Sequence, residues 1–195
     1  MGEFNLGQSW DDFKDIFNQK LPLAQAWDKM IDSLEAFKPK PYCITLRNID
    51  IEAGRKAIKE WVELTFVEDA ITVDTKSLWV GIGEYVDKND AKLYGLYLIG
   101  YDVEDPDDLD GDDPTFSPEE NLMVPNDLIT IEQAINDDED YAFLDWLLPV
   151  AYCSFVLDDM IRNDLDKQNI LRYNDSIAVA VGYDGGDFMK LSTIE

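Results

Sequence analysis

The sequence predicts a single α+β domain over residues 1–195, with an antiparallel sheet that carries its helices mainly on one face. Apolar residues recur at helical spacing up to residue 67. They alternate at strand spacing over residues 77–103 and again near the C-terminus. A long apolar run separates these two strand regions. The chain of 195 residues, of which 46% are hydrophobic, is long enough to bury a sizeable core.

The first part of the chain is predicted to be mostly helical, after a loose N-terminus over residues 1–8. Ser9 is expected to cap the first helix, and Pro22 suits the first turn of the second. Residues 42–46 are rich in β-forming side chains and are predicted as a short strand. The predicted helices of this part cover residues 9–19, 22–38 and 51–67.

Two strands are predicted to form a hairpin through the polar residues 87–90. Successive side chains of a strand point to opposite faces of the sheet. In the first strand, one face holds Leu78, Val80 and Ile82, and the other holds Trp79, Gly81, Gly83 and Tyr85. In the second strand, the two sets are Tyr94, Leu96 and Leu98, and Gly95, Tyr97, Ile99 and Tyr101.

An acidic loop over residues 102–127 follows the hairpin. Its prolines exclude regular structure through most of the loop, and loops of this length in compact domains are often functional. We predict that its carboxylates face a partner and that Tyr101 and Phe116 serve as aromatic anchors. The predicted acidic contacts are Asp102, Glu104, Asp105, Asp107, Asp108, Asp110, Asp112 and Asp113.

Helical structure is expected to resume after the acidic loop. Thr130 is predicted to cap a short helix, and residues 137–140 supply negative charge at the start of a long apolar helix. Pro149 is expected to kink or divide that helix. Its second part is expected to end near residue 162, with Asp158 and Asp159 on an exposed face.

The C-terminal segment is predicted to form a strand pair joined by a tight turn at Gly185 and Gly186. Both faces of the first strand are apolar, which predicts a central position in the sheet. One of these faces carries only small residues and would let a helix pack closely against it. The small residues are Ala178, Ala180 and Gly182.

Charge excludes several classes of function. The net charge is −26, and no Lys or Arg occurs between Lys92 and Arg162. Such a surface repels phosphates, so direct binding to nucleic acid or to an anionic membrane is not expected. The favoured partners are basic proteins and metal cations, since clustered negative charge attracts both and steers association with an oppositely charged surface. An alternative is that the acidity serves only solubility.

The two cysteines and the N-terminus predict a cytoplasmic protein. Cys43 and Cys153 lie far apart in apolar surroundings, which favours buried free thiols in a reducing compartment. The N-terminal residues have neither the basic nor the apolar region of a signal peptide. The apolar run over residues 141–157 is short for a membrane span and contains Asp145 and Pro149.

Catalysis and cofactor binding are not expected. The chain has no His, which removes the usual base, the His-assisted nucleophiles and the commonest metal ligand. An EF-hand with Gly111 at its sixth position fails, because Pro106 and Ser117 then occupy the first and last ligand positions. A weak carboxylate site of another kind for calcium or magnesium stays open as an alternative. Asp184 and Asp187 flank the Gly185–Gly186 turn and are interpreted as turn residues rather than as a catalytic pair.

A small, acidic, single-domain α+β chain without catalytic residues resembles the bacterial immunity proteins that protect a cell from its own toxin. The resemblance implies that the acidic surface would cover the active site of a basic toxin, such as a nuclease, and exclude its substrate. Two alternatives remain: a nucleic-acid mimic of the antirestriction type, and an adaptor domain with a highly soluble surface. The sequence leaves the oligomeric state open.

Overall fold

The computed structural model describes residues 6–37, 39–86, 92–109, 113–119, 121–135, 142–184 and 186–195, and it has the predicted α+β fold. The helices are α1 (Leu6–Asn18), α2 (Leu23–Phe37), α3 (Tyr42–Arg47), α4 (Ile51–Glu68), α5 (Asn126–Ile135) and α6 (Leu144–Asn163). The strands are β1 (Ser77–Val86), β2 (Lys92–Tyr101), β3 (Ala178–Gly182) and β4 (Phe188–Lys190), and a 3₁₀ turn spans Pro106–Asp108.

The strand predicted at residues 42–46 is wrong, because this segment is helix α3. Its buried residues Cys43 and Leu46 are three positions apart, which places both on the core side of a helix. The indole N–H of Trp27 donates a 2.8 Å hydrogen bond to the carbonyl of Leu46. Tertiary packing therefore overrides the strand propensity of the segment.

Two predicted helix caps lie inside their helices. Helix α1 begins at Leu6, so Ser9 is a buried residue of its second turn and the predicted loose N-terminus is helical from Leu6 onwards. Helix α5 begins at Asn126, within the predicted acidic loop. The Thr130 hydroxyl does not cap it but donates a 3.0 Å hydrogen bond to the carbonyl of Asn126. The predicted charges at residues 137–140 and the turn at residues 87–90 lie outside the described residues.

The four strands form one sheet in the order β2-β1-β3-β4. The pairs β1–β2 and β3–β4 are antiparallel as predicted, whereas β1 and β3 are parallel. A parallel pair requires a crossover connection, and the segment with α5 and α6 connects the hairpin to β3. Strand β3 lies between β1 and β4, which confirms its predicted central position.

Helices α5 and α6 pack against one face of the sheet, which we call the inner face. The aliphatic set predicted for β1 and Tyr94, Leu96 and Leu98 of β2 are buried there. Helix α6 is buried on nearly every side, so its apolar run is core. Pro149 lies inside α6 without dividing it. Both cysteines are buried and free, as predicted.

Asp158 and Asp159 are not on an exposed face, and this prediction is wrong. The side chain of Asp158 is only 3% exposed, and that of Asp159 is 13% exposed. Asp158 accepts hydrogen bonds from Lys20 at 2.9 Å, Arg162 at 2.8 Å, and the backbone N–H and hydroxyl of Ser192 at 2.8 Å. Burial alone would raise the pKa of Asp158, but these donors outweigh it and lower the pKa.

Candidate functional site

The outer face of the sheet, opposite α5 and α6, combines aromatic side chains with very small residues. Strand register places these residues in two rows across the sheet. The small residues of β3 were expected to let a helix pack closely, but α5 and α6 pack on the inner face instead, and a Cβ atom at Gly182 would lie 2.5 Å from the Cβ of Phe188. From β2 to β4, the rows are Tyr97–Gly81–Gly182–Phe188 and Ile99–Trp79–Ala180–Lys190.

Gly81 lets the Tyr97 ring cross the sheet. A Cβ atom at Gly81 would lie 1.9 Å from a ring carbon of Tyr97, so only glycine leaves this path open. At the far side of the ring, the Tyr97 hydroxyl donates a short hydrogen bond to the carboxylate of Asp184, just after β3. Burial and this contact with Asp184 raise the pKa of the Tyr97 phenol, which therefore stays a neutral donor.

An aromatic cleft of about 210 Å³ opens beside Asp184 on this outer face. Trp79 and Phe188 meet edge to face in its wall, with ring centroids 5.3 Å apart. The Trp79 side chain is buried, and its indole N–H lies near the Tyr97 hydroxyl, where it opposes the rise in the Tyr97 pKa. The described residues that line the aromatic cleft are Trp79, Tyr101, Pro106, Leu109, Asp184, Gly186 and Phe188.

The acidic loop forms one wall of the aromatic cleft and is fixed there by Lys190. The Lys190 ammonium lies 2.5 Å from Asp105 and 2.6 Å from Asp107. Asp105 also accepts a 3.0 Å hydrogen bond from the backbone N–H of Asp107, and this bond caps the start of the 3₁₀ turn. The Lys190 ammonium lowers the pKa of Asp105, and the two carboxylates raise the pKa of Lys190.

The rest of the acidic loop returns to the free edge of β2. Phe116 forms a bridge with Gly100, and Met123 forms one with Leu96. Asn121 adds side-chain hydrogen bonds to both backbone groups of Leu98. The acidic loop was predicted to be irregular, and this prediction needs correction. The loop contains a 3₁₀ turn, and its backbone pairs with the outer edge of β2.

The predicted partner contacts fall into five groups, the last of which is Phe116. Asp102, Glu104, Asp108 and Asp113 are exposed and form no ion pair with a described Lys or Arg. Asp105 and Asp107 are exposed but are paired with Lys190, and Tyr101 lines the aromatic cleft. Asp110 and Asp112 lie outside the described residues.

Phe116 is wrong as a surface anchor. It is 5% exposed and stacks on Phe66 of α4, with ring centroids 5.3 Å apart. Sequence reasoning also missed Trp79 and Phe188 as cleft residues and Lys190 as the contact that holds the loop. The strand alternation did place Trp79 on the Gly81 face, but the sequence does not show that this face lacks a covering helix.

A second cleft, of about 190 Å³, lies between α4 and α5. The Tyr152 hydroxyl donates a short hydrogen bond to Asp127, and a Cβ atom at Gly54 would collide with both groups. Burial raises the pKa of Asp127, an effect that the hydrogen bond from Tyr152 opposes and the nearby Asp50 carboxylate reinforces. Asp50 itself caps α4 through the backbone N–H of Ala53. The hydrogen bond from Tyr152 gives the half-buried Asp127 carboxyl group a structural role.

Within the described ranges, no group of three or more acidic or cysteine side chains is arranged to hold a metal ion. Among the helices described above, none combines the length and apolar character needed to cross a bilayer. Comparisons of the chain with protein-family models, with curated proteins and with solved structures find no match, so its function has to be inferred from its own geometry and charge.

Proposed function

We propose that this chain is a non-catalytic, acidic binding protein that neutralises a basic protein partner. The observation that carries the proposal is the outer face of the sheet, which no described helix covers and which presents an aromatic cleft beside exposed acidic side chains. Tight protein interfaces combine buried aromatic anchors with a polar rim, and this surface supplies both.

The charge distribution supports a basic partner. Lys190 pairs with Asp105 and Asp107 within the chain and offsets one of their two charges, whereas Asp102, Asp108 and Asp113 lack an ion pair with any described cation. Carboxylates that have no internal partner contribute little to the stability of the folded chain. They add to a net charge of −26 that opposes folding through self-repulsion but accelerates encounter with a positive surface.

In its specific form, the proposal is a cytoplasmic immunity protein that covers the cationic substrate cleft of a toxin, most simply a nuclease. A nuclease must attract phosphates with Lys and Arg side chains, and those side chains are complementary to the outer face. The bound chain would then exclude nucleic acid from the toxin by occupying its active site.

The proposal is tested by capturing the partner from the native cell and measuring its association rate against salt concentration. In the test variant, Asp102→Asn, Asp108→Asn and Asp113→Asn remove three charges from the acidic loop. In the matched control, Asp15→Asn, Glu52→Gln and Glu68→Gln remove three exposed charges from α1 and α4.

We expect the loop variant to associate about tenfold more slowly at low salt and to show a weaker salt dependence than the control variant. Capture of a nuclease domain whose activity is inhibited by the chain would support the immunity function. Capture of restriction enzymes would favour a nucleic-acid mimic. Equal rates for the two variants, or the absence of any salt-sensitive partner, would overturn the proposal.

A further inference from the structure

The size and chemistry of the aromatic cleft define what it can accept. At about 210 Å³ it is smaller than the roughly 300–1,000 Å³ of typical small-molecule pockets, so a single side chain fits it better than a cofactor. We propose that the aromatic cleft receives an arginine side chain of the basic partner, with its guanidinium between the aromatic wall and the Asp184 carboxylate. This inference rests on the proposed function.

Arginine matches the cleft because its guanidinium is both planar and charged. It stacks on aromatic faces such as those of Trp79 and Phe188, and it pairs with a carboxylate through two parallel hydrogen bonds. A lysine ammonium is more strongly hydrated and forms no such paired contact, so it gains less in an aromatic setting. A neutral apolar side chain would leave the Asp184 carboxylate without a cationic partner.

Asp184 is placed to receive a cation. Its side chain is exposed, and the one hydrogen bond it accepts from a described side chain is that of Tyr97. No described Lys or Arg forms an ion pair with it, and Lys190 on the neighbouring strand is already held by Asp105 and Asp107. The negative charge at the mouth of the aromatic cleft is therefore not neutralised within the described chain.

Contacts within the chain position both walls of the aromatic cleft. Tyr97 holds Asp184 on one side, and the contacts of Lys190 hold the 3₁₀ turn with Pro106 on the other. A preformed site loses less conformational entropy on binding than one that must be ordered by its ligand. The geometry thus favours one anchoring side chain at this position rather than diffuse contact.

The test uses the full-length, ¹⁵N-labelled chain and the peptide acetyl-Gly-Arg-Gly-amide as probe. Five Trp indole N–H signals are expected in the NMR spectrum, and Trp79→Phe identifies the signal of Trp79. We expect the arginine peptide to shift the Trp79 signal in the millimolar range. Peptides with citrulline or lysine in place of arginine should bind several-fold more weakly.

Asp184→Asn should weaken binding of the arginine peptide about tenfold, since it removes the charge from a charge-assisted hydrogen bond. Asp187→Asn is the matched control, because Asp187 is an exposed carboxylate on the other side of the same turn, and it should leave binding unchanged. The other four indole signals report whether each variant remains folded.

A Trp79 signal that does not respond, equal binding of the citrulline peptide, or an Asp184→Asn variant that binds normally would each overturn the arginine site. If the captured partner still associates in a salt-sensitive manner that the loop variant slows, the proposed function survives this failure. If that salt sensitivity is also absent, both proposals fail.

Discussion

The two faces of the sheet use the same strands for different purposes. On the inner face, Leu78, Val80 and Ile82 of β1 pack beneath α5 and α6 in the core. On the outer face, Trp79 of the same strand lies in the wall of an open cleft, and the acidic loop rather than a helix borders it. Alternation along one strand thus separates a surface that stabilises the fold from a surface available for recognition.

Acidic residues show the same division. On the side of the sheet that carries the helices, which we call the helical side, Asp158 of α6 is buried and accepts hydrogen bonds from two cations and from Ser192. On the outer face, Asp184 is exposed and has no cationic partner among the described residues. The comparison indicates that the net charge has two components, one that organises the fold and one that faces outward.

The largest effect on stability is expected from Asp158→Ala. This change leaves Lys20, Arg162 and the backbone N–H of Ser192 without their acceptor, and breaking a buried ion pair costs about 3–5 kcal/mol. Because both cations are partly exposed and can turn to water, a loss near 3 kcal/mol is expected in urea unfolding. Asp184→Ala should change the unfolding free energy little. A comparable loss in that variant would show that Asp184 stabilises the fold as much as Asp158 does.

A matched pair of glycine substitutions compares the packing of the two sides. In Gly54→Ala the new Cβ would lie 1.9 Å from a carboxylate oxygen of Asp127 and 2.2 Å from the Tyr152 hydroxyl, which is fully buried. Overpacking of this kind costs about 1–3 kcal/mol, which exceeds the gain in helix propensity from alanine. In Gly81→Ala the clash is with the half-buried Tyr97 ring, which can swing outward.

Gly81→Ala should therefore cost less free energy of unfolding than Gly54→Ala, while it separates Tyr97 from Asp184 and weakens binding of the arginine peptide. Urea unfolding measures the first effect, and the shift of the Trp79 indole signal measures the second. A Gly81→Ala variant that unfolds more readily than Gly54→Ala would show that the outer face is as tightly packed as the helical side.

The fold class, five of the six helices and the β1–β2 hairpin could be predicted from the sequence, because periodicity reports which side of an element is buried. The prediction failed where a long-range contact decided the outcome. Residues 42–46 became helical because Cys43 and Leu46 pack on the core, and the parallel pairing of β1 with β3 depends on the crossover through α5 and α6.

The candidate site was predicted only in part, for a similar reason. A run of acidic residues identifies a charged segment, but it does not show which carboxylates find cations elsewhere in the chain. Asp158 is satisfied by Lys20, which is 138 positions away, and Asp107 by Lys190, which is 83 positions away. Phe116 was expected at the surface but is buried against Phe66, because burial depends on the element that packs above a ring.

The smallest effect, and the one that sharpens the comparison most, is expected from the pH dependence of Asp127→Asn. Asp127 lies on the helical side, yet burial raises its pKa, so its ionised form opposes folding. Below about pH 3.9, the ordinary pKa of Asp, the carboxyl group is protonated in both folded and unfolded chains and has no such effect. As the pH rises from there through the raised folded pKa, the wild-type chain loses stability at this site.

Asn keeps an acceptor for the Tyr152 hydroxyl and cannot ionise. The stability of Asp127→Asn relative to wild type should therefore be greater at pH 7 than at pH 3, measured by urea unfolding at both values. Asp158→Asn should show the opposite trend, because its lowered pKa stabilises the fold above about pH 3.9 and this contribution is lost as the pH falls. Parallel trends in the two variants would mean that the helical side treats its buried carboxylates alike. Opposite trends would show that cationic hydrogen-bond donors, which Asp158 has and Asp127 lacks, decide whether an acid removed from water stabilises this chain.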